Sequence, residues 1–304
     1  MAQATAYAPG HLTGLFQVCL EGDDPLRWGA RGAGVTIKQG VTTTVEVEPA
    51  SHPSTRIYIN DKAAPEAIVS RAVLERYQKY MAEPLRVTVR HRVETPMTAG
   101  FGSSGGGALS LSLALNQALG VGLSRVEAAH IAHLAELECK TGLGSVYAAY
   151  TGGFGVLLHP GAPGVGRGRL FEEVEDLRVV YVHYGPMETR EALSNKELVE
   201  KVNRLGGVYV EELGRELTPK RFMEFSRRFT EHLDLAGPRV RRILDAMDEA
   251  GWTYTMACFG EVAFTLQYRE EAEASAQALR GMGENPVVVG VEAEGARLVP
   301  LDHK

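Results

Sequence analysis

One segment of the chain combines the residue types that bind phosphate. Pro96–Ala108 reads Pro-Met-Thr-Ala-Gly-Phe-Gly-Ser-Ser-Gly-Gly-Gly-Ala, and an apolar run follows it directly. The apolar run is typical of a buried helix, which is predicted over residues 105–119. A glycine-rich loop that opens a helix offers backbone N–H groups and the positive end of the helix dipole to an anion. The residues predicted to bind phosphate are Pro96, Gly100, Gly102, Ser103, Ser104, Gly105, Gly106 and Gly107.

The loop differs from two common phosphate-binding patterns. A P-loop ends in Gly-Lys-Ser or Gly-Lys-Thr, and neither follows this loop. No acidic residue stands where a dinucleotide-binding fold would contact ribose. A plain turn without a ligand is the remaining alternative. The hydroxyls of Ser103 and Ser104 favour a binding site, because they can add hydrogen bonds or a metal ligand.

A second group of chemically capable residues lies on the next predicted helix, residues 124–139. Glu136 stands in the mostly apolar sequence Ala-His-Leu-Ala-Glu-Leu, so we expect it to hold a metal ion rather than to face solvent. His133 shares its helix face, whereas Glu138 points elsewhere. His130 and His133 are spaced as zinc ligands could be, but no third ligand follows at metal spacing, which disfavours zinc.

The remaining pattern predicts an α+β protein with two lobes. Short strands are expected on either side of Pro9, and an amphipathic helix is expected over Thr189–Leu205. Pro160–Arg169, rich in glycine and proline, is the best candidate for a linker or hairpin. The predicted lobes are residues 1–170, with the phosphate loop, and residues 171–304.

Composition narrows the class of partner. The chain has 304 residues and a formal net charge of −6, which argues against nucleic acid, for which a basic face is expected. No apolar run reaches the length of a membrane span, and the N-terminus lacks the pattern of a secretory signal. The three cysteines, Cys19, Cys139 and Cys258, are widely spaced, which favours buried structural thiols and a cytoplasmic location.

The glycine-rich loop resembles the second motif of the GHMP kinases, which wraps the phosphates of ATP. Further short motifs lie in the order found in the archaeal pantoate kinase family, and together they span residues 6 to about 265. These motifs are Ala8–Gly14, Gly32–Val35, Ala132–Glu136, Thr141–Gly144, Pro160–Gly164, Gly185–Thr189 and Met256–Gly260.

The resemblance implies a fold, a reaction and an assembly. The fold would be the two-lobed GHMP kinase fold, with an N-terminal lobe like domain 2 of ribosomal protein S5 and a C-terminal α/β sandwich. The reaction would be transfer of phosphate from ATP, with Mg²⁺, to the 4-hydroxyl of pantoate on the archaeal route to coenzyme A. A homodimer is the assembly that the resemblance implies.

The same resemblance assigns roles to single residues. Ser104 and Glu136 would hold Mg²⁺, and they form the predicted catalytic group together with Ser145. Arg31 could clamp a carboxylate with its two-pronged guanidinium, although a surface arginine is an equal alternative. The residues expected to contact substrate are His11, Arg31, His133 and Thr189.

Three positions depart from the family pattern on the acceptor side. Ser145 stands where the family has Asp, and Ala30 replaces a Ser. Leu157 and Leu158 fill the region of a basic residue that could meet the pantoate carboxylate. Pantoate is the first-choice acceptor. Another small hydroxy acid of the mevalonate type, or a nucleotide-binding relative without catalysis, remain as alternatives.

Overall fold

The computed structural model describes residues 2–187 and 194–300. Thr189, expected to contact substrate, lies outside the described residues. The predicted α+β class is confirmed, since helices pack against two separate sheets. Within the described ranges, no helix is both long and apolar enough to cross a membrane.

The first sheet has eight strands and is built around one long hairpin. Its path runs β12-β1-β2-β5-β3-β4, while β6 pairs with the first part of β2 and carries β7. Only the β3–β5 pair is parallel among the pairs described. The strands are β1 (Ala2–Cys19), β2 (Gly29–Pro49), β3 (Ser54–Ile59), β4 (Lys62–Ala63), β5 (Leu85–Val93), β6 (Phe154–His159), β7 (Arg167–Leu170) and β12 (Arg297–Val299).

A single strand replaces the two short strands expected on either side of Pro9. β1 stays paired with β2 along its length, with register shifts between Pro9 and Gly10 and between Thr13 and Leu15. A bulge absorbs extra residues and bends a strand without ending it. The Pro-Gly pair, interpreted from the sequence as a break, is therefore a bend inside β1.

Four helices cover one face of the first sheet. From Gly105 to Leu115 every residue of the second helix is buried, which confirms the predicted buried helix, although it begins at Ser103. Its apolar side chains pack with those of the sheet and of the neighbouring helices. The four are α1 (Ile68–Tyr77), α2 (Ser103–Ala118), α3 (Arg125–Cys139) and α4 (Ser145–Thr151).

The second sheet has four antiparallel strands in the order β11-β8-β10-β9. Two of its helices pack between the two sheets, where Phe16 contacts Phe229 edge to face, and the other two cover its outer face. The strands are β8 (Leu177–Gly185), β9 (Thr255–Met256), β10 (Glu261–Tyr268) and β11 (Val287–Gly290). The helices are α5 (Lys196–Arg215), α6 (Pro219–Leu233), α7 (Pro238–Glu249) and α8 (Arg269–Gly281).

One expected helix has different bounds in the structure, and one expected hairpin is confirmed. Residues 189–193 of the helix expected over Thr189–Leu205 lie outside the described residues. The described helix runs from Lys196, where the Asn195 side chain accepts the Leu198 amide as a cap, to Arg215, ten residues beyond the expected end. Pro160–Arg169, expected as a linker or hairpin, forms a hairpin: it leads from β6 into β7, which begins at Arg167. The division near residue 170 stays a prediction, and the late strand β12 pairs with β1 of the first sheet.

Candidate active site

The predicted phosphate-binding segment continues into α2, whose first five residues are Ser103 to Gly107. Gly102, at the N-cap of α2, has φ 61° and ψ 23°, and Gly100 has φ 80°. These left-handed conformations are accessible to glycine at little cost, which explains the residue type at both positions. Within the described part of the chain, no side chain caps this helix end, so its first amides are available to an anion.

Three hydroxyl groups converge on the carboxylate of Glu136. The Ser104 hydroxyl donates to Oε1, and the Thr141 hydroxyl donates to the same oxygen at 2.6 Å. The Ser145 hydroxyl donates to Oε2 at 3.0 Å. The donors come from the start of α2, from the turn after α3 and from the start of α4. The carboxylate therefore joins the start of α2, 32 residues away in sequence, to the turn and the short helix that follow α3.

Glu136 is buried, with 2% of its surface exposed. Burial raises the pKa of its carboxyl group, and the hydrogen bonds from Ser104, Thr141 and Ser145 act in the opposite direction. Among residues 2–187 and 194–300, no basic side chain forms an ion pair with Glu136. A buried carboxylate beside a serine hydroxyl is a set of hard oxygen ligands, which fits Mg²⁺.

Glycines allow these segments to approach so closely. A Cβ atom on Gly105 would lie 2.5 Å from Oγ of Ser145 and 3.2 Å from Oε2 of Glu136. A Cβ atom on Gly142 would collide with Oε2 of Glu136 and lie 2.5 Å from Oγ of Ser145. Thr141 and Gly142 are functional candidates that the sequence interpretation missed, although both stand in the Thr-Gly-Leu-Gly motif.

A pocket of about 320 Å³ opens beside this cluster. Ser145 and Gly102 lie on its wall, and His11 lines it from β1. Burial lowers the pKa of His11 to about 4, so its imidazole is neutral at neutral pH. Ala30 and Leu157, two of the positions that depart from the family pattern, also line the pocket.

The described lining of this pocket contains little charge. Arg169 is its one arginine or lysine, and the guanidinium donates to the carbonyl groups of Gly214 and Arg215 at 3.3 Å. Acidic side chains do not line this part of the described chain either. An anionic acceptor would therefore meet mostly backbone groups, hydroxyls and the neutral His11.

Two residues predicted to contact substrate lie away from this pocket. Arg31 pairs with Glu211 at 2.5 Å and with Oε1 of Gln17 at 2.5 Å, whereas its neighbours Ala30 and Gly32 line the pocket. The structure thus does not bring the expected carboxylate clamp to the cluster.

His133 is buried beneath the turn that precedes β2, with Nε2 3.3 Å from the carbonyl oxygen of Pro25. Burial lowers the pKa of its imidazole. His133 is one helical turn from Glu136, but it does not belong to the described lining of the pocket. In this position, His133 does not contact an acceptor bound in the pocket.

The remaining loop residues divide into two sets. Gly102 and Gly105 adjoin Ser145, Gly100 lies against the carbonyl of Cys258, and the Ser103 hydroxyl is 3.0 Å from that of Thr95. Gly106 and Gly107 face the interior, where added Cβ atoms would find their nearest neighbours at 3.5 and 4.0 Å. Pro96 is half-buried at the start of the loop.

Comparison with known proteins places this arrangement in a family. Residues 67–153, which include the loop and Glu136, match the model of the GHMP kinases N terminal domain. The pantoate kinase of Thermococcus kodakarensis is 33% identical over 91% of this chain and 92% of its own length. The pantoate kinase of Methanocaldococcus jannaschii is 29% identical over 94% of this chain and 99% of its own.

A solved structure supports the same relationship over the whole chain. A phosphotransferase related to the CoA biosynthesis pathway is 29% identical and superposes with a TM-score of 0.87, covering 98% of each chain. Its similarity extends beyond the matched N-terminal domain to the second sheet and its helices. The chain belongs to the GHMP kinase family and, within it, to the pantoate kinases.

Proposed function

We propose that this protein is an ATP-dependent kinase that phosphorylates the 4-hydroxyl of pantoate in coenzyme A biosynthesis. One observation carries the proposal: the uncapped start of α2 and the buried carboxylate of Glu136 meet at the edge of a pocket large enough for a small acceptor. The chain's similarity to pantoate kinases over about nine-tenths of its length supports the choice of acceptor.

The phosphate loop would bind the nucleotide. The first amides of α2 point out of the helix end, and the helix dipole adds positive potential there. Gly100 and Gly102 let the backbone turn close to an anion. This binding needs no lysine, and the sequence of the loop contains none.

Ser104 and Glu136 would hold Mg²⁺. When bound, the ion offsets charge that develops on the transferred phosphoryl group. Without the ion, Ser104, Thr141 and Ser145 donate their hydroxyl hydrogens to Glu136 and stabilise its negative charge. The cluster therefore keeps a metal ligand preformed in the folded chain.

The acceptor would occupy the pocket, with the reacting hydroxyl beside Ser145. The oxygen of the acceptor hydroxyl forms a bond to the γ-phosphorus of ATP. The bond from that phosphorus to the β–γ bridging oxygen breaks, and ADP leaves. The hydroxyl proton passes to an oxygen of the transferred phosphoryl group, since a serine is not basic enough to take it at neutral pH. Phosphoryl transfer depends mainly on positioning and charge stabilisation, so a missing carboxylate base slows this step without preventing it.

Two observations require that the test also cover a mevalonate-type acceptor and a nucleotide-binding protein without catalysis. Ser145 replaces the family's Asp, and no unpaired cationic side chain lines the described pocket. We therefore measure ADP release by the wild-type protein with Mg-ATP and either pantoate or mevalonate. We expect pantoate to give the higher kcat/KM. Turnover of mevalonate alone would refute pantoate but leave the kinase, and tight ATP binding without any turnover would indicate a nucleotide-binding relative.

We also propose an assembly and a cellular location. A homodimer follows from the resemblance alone, and light scattering on the purified chain tests it: a mass near 33.0 kDa would refute it. A cytoplasmic location follows from the spacing of the cysteines. Imaging of a tagged chain in its native cell would test that proposal.

A further inference from the structure

A chain of four buried polar side chains runs beneath the phosphate loop. Ser70 lies on α1, His91 on β5, Thr43 on β2 and Ser110 on α2, and all four are buried. Successive groups are 3.0, 2.8 and 2.6 Å apart, and the Ser110 hydroxyl lies 2.8 Å from the carbonyl oxygen of Gly106. We call this the Ser70–Ser110 chain.

The Gly106 carbonyl at the end of this chain determines which group donates in each of its hydrogen bonds. A carbonyl oxygen only accepts, so Ser110 directs its single hydroxyl hydrogen to the carbonyl of Gly106 at 2.8 Å, with that of Gly107 farther away at 3.3 Å. Thr43 must then donate to Ser110 and can only accept from Nδ1–H of His91. Nε2 of His91 is left as an acceptor and receives the hydrogen of Ser70. Every group between the two ends thus both donates and accepts.

The direction requires a neutral imidazole, and the surroundings provide one. Burial lowers the pKa of His91 to about 4, so the ring keeps one N–H and one lone pair at neutral pH. A fully satisfied buried network is rigid, whereas one missing member leaves a buried polar group unpaired.

The Ser70–Ser110 chain ends at the part of α2 whose residues have the lowest helix propensity. Gly105, Gly106 and Gly107 follow one another in its first turns, and glycine is the least favourable helix former after proline. The same turns carry the amides proposed to bind phosphate. The only described side chain that bonds to the Gly106 carbonyl is Ser110, through which the network reaches the loop.

We propose that Thr43 and His91 are positioning residues for the nucleotide: through Ser110 they fix the carbonyl of Gly106 and so hold the first turn of α2 in its phosphate-binding geometry. This inference rests on the proposed function, since it assumes that ATP binds at the loop. Neither residue touches the pocket or the Glu136 cluster in the described structure. Their effect would be on the affinity for ATP rather than on the acceptor.

The test compares two substitutions of Thr43, one that removes the hydroxyl group and one that keeps it. Thr43→Val keeps the shape of the side chain but removes the hydroxyl, and Thr43→Ser keeps the hydroxyl. We expect Thr43→Val to raise the KM for ATP about tenfold, the effect of one lost buried hydrogen bond, with kcat and the KM for pantoate within twofold of wild type. Thr43→Ser should restore the wild-type KM for ATP.

Tyr77→Phe is the matched control for the loss of a buried hydroxyl bond to α2. The Tyr77 hydroxyl donates to the carbonyl of Ser112 at 2.8 Å, farther along the helix from the loop. We expect Tyr77→Phe to lower the melting temperature without raising the KM for ATP.

Calorimetry of ATP binding to the same four proteins separates the two proposals. Wild-type protein that binds no ATP would overturn the proposed function and this inference with it. Wild-type protein that binds ATP, with Thr43→Val binding equally well, would overturn the inference alone. So would an equal loss of affinity in Thr43→Val, Thr43→Ser and Tyr77→Phe, because that result would indicate a purely structural role.

Discussion

The hydroxyl of Ser145 donates a hydrogen bond of 3.0 Å to Oε2 of Glu136, which joins the first residue of α4 to the last turns of α3. Ser145 also lines the pocket, so one side chain contacts both the proposed metal ligand and the proposed acceptor site. The related family carries Asp at this position, according to the resemblance described above. The exchange removes a second carboxylate from the centre.

We expect Ser145→Asp to raise kcat with pantoate by at least about tenfold, since a general base contributes about 10²–10⁴-fold where it is well placed. The new carboxylate would also repel Glu136, so the metal-free protein should melt at a lower temperature. Steady-state kinetics and thermal melts check both effects. Ser145→Asn, similar in size but not basic, is the control, and an equal gain in kcat for both variants would rule out the base.

Gly105 and Gly107 lie in different environments, so one added methyl group should have different effects at the two positions. Gly105→Ala would push against Ser145 and Glu136, and we expect it to weaken ATP and Mg²⁺ binding about tenfold or more. Gly107→Ala has its nearest neighbour at 4.0 Å, and it should stabilise α2 by up to about 1 kcal/mol. Calorimetry and urea unfolding measure the two quantities. Comparable ATP affinities in the two variants would contradict the assignment of the cradle.

The two glutamates near the end of α3 provide a comparison for the metal site. Glu136→Gln keeps the shape but removes the charge, and we expect turnover to fall about 100-fold or more, with a higher Mg²⁺ requirement. Glu138 is 55% exposed and pairs with Arg76 at 2.5 Å, so Glu138→Gln should change turnover less than twofold. Turnover measured against Mg²⁺ concentration tests this comparison. Equal losses of turnover in the two variants would mean that the metal-binding face of α3 is assigned wrongly.

Buried histidines make the fold sensitive to acid. Burial lowers the pKa of both His11 and His91 from 6.5 to about 4. Between these values the unfolded chain binds protons that the folded chain does not, so stability is complete above about pH 6.5 and falls as the pH drops towards 4. Each histidine contributes a slope of up to about 1.4 kcal/mol per pH unit.

Urea unfolding at several pH values tests this acid sensitivity. We expect His91→Asn to reduce the slope of unfolding free energy against pH. Equal slopes for wild type and His91→Asn would contradict the assignment of a neutral buried imidazole.

The sequence predicted the loop and Glu136 because their signals are local. A glycine-rich loop before an apolar helix indicates its own structure, and a carboxylate in an apolar helix indicates a buried site. That Ser104 and Glu136 are hydrogen-bonded is new information from the structure, since they are 32 residues apart in sequence. Thr141 was missed because a threonine hydroxyl in a turn has no pattern that indicates its partner.

Arg31 shows what sequence proximity cannot predict. It stands between Ala30 and Gly32, but neighbouring residues of a strand point to opposite faces of a sheet. Ala30 and Gly32 therefore face the pocket, whereas Arg31 reaches Glu211 of α5. Only the pairing of β2 with β1 and β6 determines which of the two faces is the pocket.

The identity of the reaction product tests the proposed function most directly. Wild-type protein is incubated with Mg-ATP and pantoate labelled with ¹³C, and the mixture is followed by ³¹P and ¹³C NMR. The proposed function predicts a new phosphomonoester signal coupled to C4 of pantoate, formed in equal amount with ADP. ADP without that signal, or unchanged pantoate under conditions in which the protein binds ATP, would contradict the assignment of pantoate as acceptor.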